Sequence, residues 1–250
     1  MQYVWLTALG VGATTVIGAL LGFTIRHTSH KITDITLSFA AGVMLAAAVI
    51  GLILPSLDTE KPLSLLMTII GIFAGALTLH LIDKLVPHQH RPENDGEEQH
   101  PKNSAKMNKV MLFVLAIAIH NFPEGVAAGV GFGTDINAAL TIAGGIALQN
   151  IPEGMAIIAP MRAIGMSRKR TLLYASLTGL VEVVGTFVGY AVSFSAALLP
   201  FCLAFAGGTM LYIISDEMIP ETHAHGAERA ATYALLIGFC LMLATDFFFA

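Results

Sequence analysis

The chain has 250 residues, of which 55% are hydrophobic and 12% charged, with a mean hydropathy of +0.74 and a formal net charge of −4. A soluble domain carries about a quarter charged residues, so this composition excludes an ordinary globular protein and points to a membrane class. No basic patch with interleaved aromatics occurs, which excludes nucleic acid as a partner. The two cysteines, Cys202 and Cys240, stand far apart in apolar segments and read as small hydrophobes.

About 20 apolar residues cross a bilayer as a helix. Taken in order, eight such runs appear, at 3–25, 33–56, 63–85, 108–132, 136–161, 171–193, 197–218 and 229–249. The first has no basic residue ahead of it and is too long for a cleaved signal peptide, so it reads as a spanning helix. The breaks are short and polar except for 87–106, PHQHRPENDGEEQHPKNSAK, which is almost free of apolar residues and reads as a flexible cytoplasmic loop. The expected architecture is one all-α transmembrane domain. If the N-terminus lies outside, twelve of the thirteen Lys and Arg residues fall in inside loops and only Lys61 falls outside. That asymmetry supports eight spans with both termini outside.

Polar residues inside these runs gather at one depth. In 108–132 the stretch His120-Asn121-Phe122-Pro123-Glu124-Gly125 lies near the middle, and in 136–161 it returns as Gln149-Asn150-Ile151-Pro152-Glu153-Gly154. Glu182 and Met44 reach the same level from 171–193 and 33–56. A charged side chain at that depth costs roughly 2.5–3.5 kcal/mol on insertion scales. Three glutamates there, without Lys or Arg at their level, need protons or a cation. His120 and Glu124 are one turn apart, and Asn121 and Glu124 also share a face. Pro123 and Pro152 deprive the Ile119 and Leu148 carbonyls of their helical partners, which predicts that both helices break at the midplane. Two antiparallel helices carrying one motif predict inverted pseudo-symmetry around a central site, a transporter signature. Imidazole, carboxamide and carboxylate donors suit a divalent transition metal.

Other polar residues have simpler readings. Met44 alone reads as packing. Asp216 and Glu217 lie at a helix end that water can reach, and Asp83 has Lys84 beside it. His88, His90, His100, His223 and His225 lie in polar loops, where weak metal binding and plain solvation are both open.

The HNFPEG and QNIPEG pair resembles the ZIP (Zrt-, Irt-like protein) family of divalent metal transporters, and the glutamine opening the second copy resembles its prokaryotic GufA-type branch. The resemblance covers essentially the whole chain. It implies a binuclear site: a first metal held by Met44, His120, Glu124, Gln149 and Glu153, and a second by Asn121, Glu124, Asn150, Glu153 and Glu182. It implies that Asp58 helps admit metal, and that Asp83, Asp216 and Glu217 help release it. It implies Zn²⁺ as substrate, with Fe²⁺, Mn²⁺, Co²⁺ and Cd²⁺ as further candidates, carried into the cytoplasm by alternating access, with α-helical spans 1, 4, 5 and 6 moving against 2, 3, 7 and 8. Many members carry histidine where Gln149 stands, and some carry aspartate where Asn150 stands. The expected partners are divalent metal ions and the lipid bilayer, with a homodimer left open; no organic cofactor and no enzymatic activity are expected, and a bacterial inner membrane is the expected location. Two rival classes are a proton or sodium antiporter using the carboxylates alone, and an intramembrane metal hydrolase. The first leaves His120 and the asparagines without a role, and the second lacks a general base beyond the ligands.

Overall fold

The computed structural model describes residues 2–24, 30–57, 62–85, 102–195 and 197–249. Helix α1 spans Gln2–Gly22. Helix α2 runs over His30–Ala46 and continues through Ala47–Ile53 and Leu54–Ser56. Then come α3 (Pro62–Leu85), α4 (Lys102–Val130), α5 (Ile136–Ala163) and α6 (Arg168–Ser193). Helix α7 runs over Leu199–Ile213, Ile214–Met218 and Ile219–Thr222, and α8 spans Glu228–Phe249. All eight contain a stretch long and apolar enough to cross a membrane, and no strand occurs among the described residues. The protein is an all-α, multi-pass membrane protein.

Three details differ from the sequence expectation. Helix α4 begins at Lys102, so the last residues of the expected 87–106 loop are helical; residues 87–101 lie outside the described residues. Helices α4 and α5 are not broken: each runs uninterrupted through its motif proline. A proline removes one N–H and crowds one carbonyl, and packing on both sides of the helix holds the remaining ladder together. The irregularity falls elsewhere. Helix α2 widens to π geometry over Ala47–Ile53 and α7 does so over Ile214–Met218, each shortly before a proline, Pro55 and Pro220. Such wide turns relieve the clash with the proline ring and recur at functional sites.

The turn between α4 and α5 is short and brings the two motif helices antiparallel. Asp135 caps α5 by accepting a hydrogen bond from the Ala138 N–H at 2.9 Å. At the other end, Gly165 takes a φ of +82°, a left-handed conformation that glycine adopts without strain, and Ser167 opens α6.

Packing divides the spans into two sets. Helix α4 lies along α6, and α1 along both α5 and α6; in the second set α3 lies along α7, and α2 along α8. The sets meet chiefly where α2 touches α5 and α4 touches α7. Exchanging α1 with α6, α2 with α7, α3 with α8 and α4 with α5 maps these pairings onto themselves. Close approaches obey the same exchange. A Cβ added to Gly125 would strike the Glu182 carbonyl, and one added to Gly154 would strike the Thr15 carbonyl. Gly185 sits against the Phe122 carbonyl as Gly18 sits against that of Ile151, and Gly12 and Gly179 face each other across the pseudo-axis. The glycines let the helix backbones approach to where dispersion and small-residue packing replace the hydrophobic effect, which does not act between helices in lipid. Helices α3 and α8 are the least buried spans and present their apolar faces outward.

Candidate metal-transport site

The two motifs meet where α4 and α5 cross the middle of the bundle. Asn121, Glu124, Gln149, Asn150 and Glu182 are completely buried, whereas His120 and Glu153 are partly exposed. Glu124, Glu153 and Glu182 lie near enough for their charges to act on one another, and Glu153 also feels His120. The Gln149 amide faces the Glu124 carboxylate but stands beyond ordinary hydrogen-bond geometry.

One side of this group is internally satisfied. Asn150 Nδ2 donates to both Glu182 carboxylate oxygens at 2.7 and 2.8 Å and reaches the Val11 carbonyl at 3.2 Å. Thr15 Oγ1 donates to Glu182 Oε2 at 3.4 Å. The other side is not. Both side-chain oxygens of Glu124, both polar atoms of Asn121 and of Gln149, and Asn150 Oδ1 have no hydrogen-bond partner although all are buried. An unpaired buried polar group costs about 1–3 kcal/mol, and a charged one more. A protein retains several together only where something polar completes them. Their oxygens are of the kind that a cation would complete.

His120 turns away from this group. Its Nε2 hydrogen-bonds Glu217 Oε1 on the widened turn of α7 at 3.0 Å, with side chains 13% and 17% exposed. Beyond Glu217, Asp216 is exposed. Partly for this reason, no three His, Cys, Asp or Glu side chains converge closely enough to hold a metal by themselves among the described residues. The amides of Asn121, Gln149 and Asn150 lie beside the carboxylates and carry the further unpartnered polar atoms. Met44 is fully buried in an apolar cluster with Ile146, against which Leu148, the residue before Gln149, also packs.

The remaining sequence candidates fall apart from the centre. Asp58 lies outside the described residues, and Asp83 lies near the end of α3. Of the loop histidines, His225 Nδ1 pairs with the buried Asp34 at 3.1 Å, and His223 bonds the Ile219 carbonyl and Thr232. His88, His90 and His100 lie outside the described residues. Two participants escaped the sequence reading: Thr15, which touches Glu182, and the direct link from Glu217 to His120. The first had a signal, because Gly12, Thr15, Gly18 and Gly22 are spaced as are Gly179, Glu182, Gly185 and Gly189.

The apolar shell is one-sided too. Val130, Ile142, Leu203 and Leu52 close the bundle at the end where α4 passes to α5. The partly exposed residues His120, Glu153 and Glu217 all lie toward the opposite end. Exposure at the centre is therefore greater toward the Asp216 end than toward the other.

The family model described as ZIP zinc transporter matches residues 83–246. The chain is 40% identical to the zinc transporter GufA of Myxococcus xanthus over 96% of both chains. It is also 40% identical to the zinc transporter ZIPB of Bordetella bronchiseptica, over 94% of this chain and 77% of that one. The zinc transporter ZupT of Streptococcus mutans is 32% identical over 95% of this chain and 93% of its own. With eight spans around a buried, unneutralised set of carboxylates and amides, the chain belongs to the ZIP zinc transporter family and is a membrane transporter of divalent metal, not an enzyme.

Proposed function

We propose that this protein carries Zn²⁺ across the membrane into the cytoplasm, through a binuclear site at the bundle centre, by alternating access. The observation that carries the reading is the set of unpartnered oxygens of Asn121, Glu124, Gln149 and Asn150, all fully buried beside two further carboxylates. A first ion would take oxygens from Glu124, Glu153 and Gln149, the imidazole of His120 and the thioether of Met44. A second would take Asn121, Asn150 and Glu182, with Glu124 and Glu153 shared between the two. The carboxylates substitute for part of the hydration shell of the ion and offset its charge, which a site of amides alone could not do.

Release would pass along the partly exposed side. His120 stands between the motif carboxylates and Glu217, which it hydrogen-bonds, so a rotation of one imidazole would move a ligand from the centre toward Asp216 and the water beyond. Asp83 would contribute at the same end and Asp58 at the other. The distribution of Lys and Arg assigns the Asp216 end to the cytoplasm, and the bacterial relatives suit an inner membrane. Opening would alternate by rocking α1, α4, α5 and α6 against α2, α3, α7 and α8, the two sets into which the packing divides.

The test is uptake by purified protein in liposomes, comparing wild type with Glu124→Ala for Zn²⁺, Fe²⁺, Mn²⁺ and Cd²⁺ separately, with internal pH followed. Metal uptake lost in the variant is the expected result. Uptake retained would sink the shared-site reading, and proton flux without metal flux would replace it with an antiporter.

A further inference from the structure

The inverted repeat extends to a residue that the motif pair does not include. Gly42-Val43-Met44-Leu45 of α2 returns in α7 as Gly208-Thr209-Met210-Leu211. The two glycines play equivalent parts: a Cβ on Gly42 would strike the Leu235 carbonyl of α8, and one on Gly208 the Ile72 carbonyl of α3. Both methionines are fully buried and belong to one cluster. Each stands just before the widened turn of its helix, Ala47–Ile53 in α2 and Ile214–Met218 in α7.

The two helices occupy equivalent places but differ in state. The turn after Met44 is apolar and more than half buried, with Gly51 close against Ile142. The turn after Met210 is open and bears Asp216 and Glu217. When a carrier built from inverted repeats reverses its opening, each half takes up the conformation its counterpart had. We propose that Met210 is the second thioether of the metal path, serving the site in the opposite-facing conformation as Met44 would serve it in the one described. The proposal rests on the metal-carrier reading above. Thioether sulfur favours soft ions over hard ones, so the pair would favour Cd²⁺ and Zn²⁺ over Mn²⁺ on both sides of the cycle. Packing is the competing role for a buried methionine, and leucine fills the same apolar space without a donor sulfur.

The experiment measures Cd²⁺ and Mn²⁺ uptake in liposomes for wild type, Met44→Leu, Met210→Leu and Met210→Cys, with Glu124→Ala as the control for the carrier reading. Expected is a several-fold fall in the Cd²⁺-to-Mn²⁺ ratio for both leucine variants, with the ratio restored by cysteine at position 210. An unchanged ratio in Met210→Leu, or an equal loss of both ions, would make the residue a packing group and overturn the proposal. An unchanged ratio in Met44→Leu would remove its premise with the same effect. If Met210→Leu does not fold, Met210→Ile beside Met210→Cys decides by the same ratio: a fall in isoleucine with the ratio kept in cysteine supports the proposal, and equal ratios overturn it. Transport surviving in Glu124→Ala would instead strike the carrier reading, and this proposal with it.

Discussion

The HNFPEG copy in α4 and the QNIPEG copy in α5 share a backbone plan but not an environment. In α4 the first residue, His120, is partly exposed, and the glutamate, Glu124, is buried without a partner. In α5 the order reverses: Gln149 is buried and Glu153 is partly exposed. The helices run in opposite directions, so the exposed member of each copy is the one nearer Asp216. The difference is one of access rather than of composition. One sequence motif used twice in opposite directions gives a centre with a more exposed and a more buried face, and the proposed alternating access would reverse them.

The largest effect expected is on transport itself. Glu124→Ala and Glu153→Ala should each abolish metal uptake in liposomes although only the first residue is fully buried, because the proposed site shares both glutamates between two metals. Near-normal uptake in either variant would separate the copies and break the comparison. Accessibility should split them the other way. In a background with Cys202 and Cys240 replaced, cysteines at 120 and 153 should react with a membrane-impermeant thiol reagent added on the Asp216 side. Cysteines at 124 and 149 should not. Equal labelling at all four positions would mean that the centre has no dry face.

Packing should treat the copies alike. Gly125→Ala would press a methyl on the Glu182 carbonyl, and Gly154→Ala would do the same to Thr15. Overpacking of this kind costs typically about 1–3 kcal/mol. Both variants should unfold at lower temperature in detergent by similar amounts, and a loss confined to one would weaken the pseudo-symmetry.

Much of this is legible in the amino-acid sequence. Eight spans follow from the length of the apolar runs, and the central residues from the cost of burying charge where no Lys or Arg can follow. The repeat in α4 and α5 was visible because its letters match. The repeats of α1 in α6 and of α2 in α7 were not, since they are carried by glycine spacing and a lone methionine, signals that helix packing in lipid produces everywhere. The prolines misled for a physical reason. Sequence reports the lost N–H but not the neighbours that hold the helix straight past it, so the breaks expected at Pro123 and Pro152 are absent. The widened turns lie instead before Pro55 and Pro220. Nor could sequence distance foretell that His120 turns to Glu217, nearly a hundred positions further along the chain and three helices away in order.

A milder change to the comparison is to make the copies alike. Gln149→His converts QNIPEG to HNIPEG and adds a donor that binds metal only when unprotonated. Imidazole ordinarily titrates near pH 6.5, so the added group is a ligand above that region and is progressively lost to protons below it. The sign follows. At pH 7.5 the variant should hold Zn²⁺ at least as well as wild type, with a stronger preference for Zn²⁺ over Mn²⁺. At pH 5.5 that gain should vanish. The half-saturating Zn²⁺ concentration would then rise more steeply on acidification than in wild type, by at most about tenfold for each pH unit that one additional proton competes. Parallel pH profiles for the two proteins would mean that position 149 does not touch the ion. The unpartnered amide there would then need a different explanation from the one that Glu124, beside it, requires.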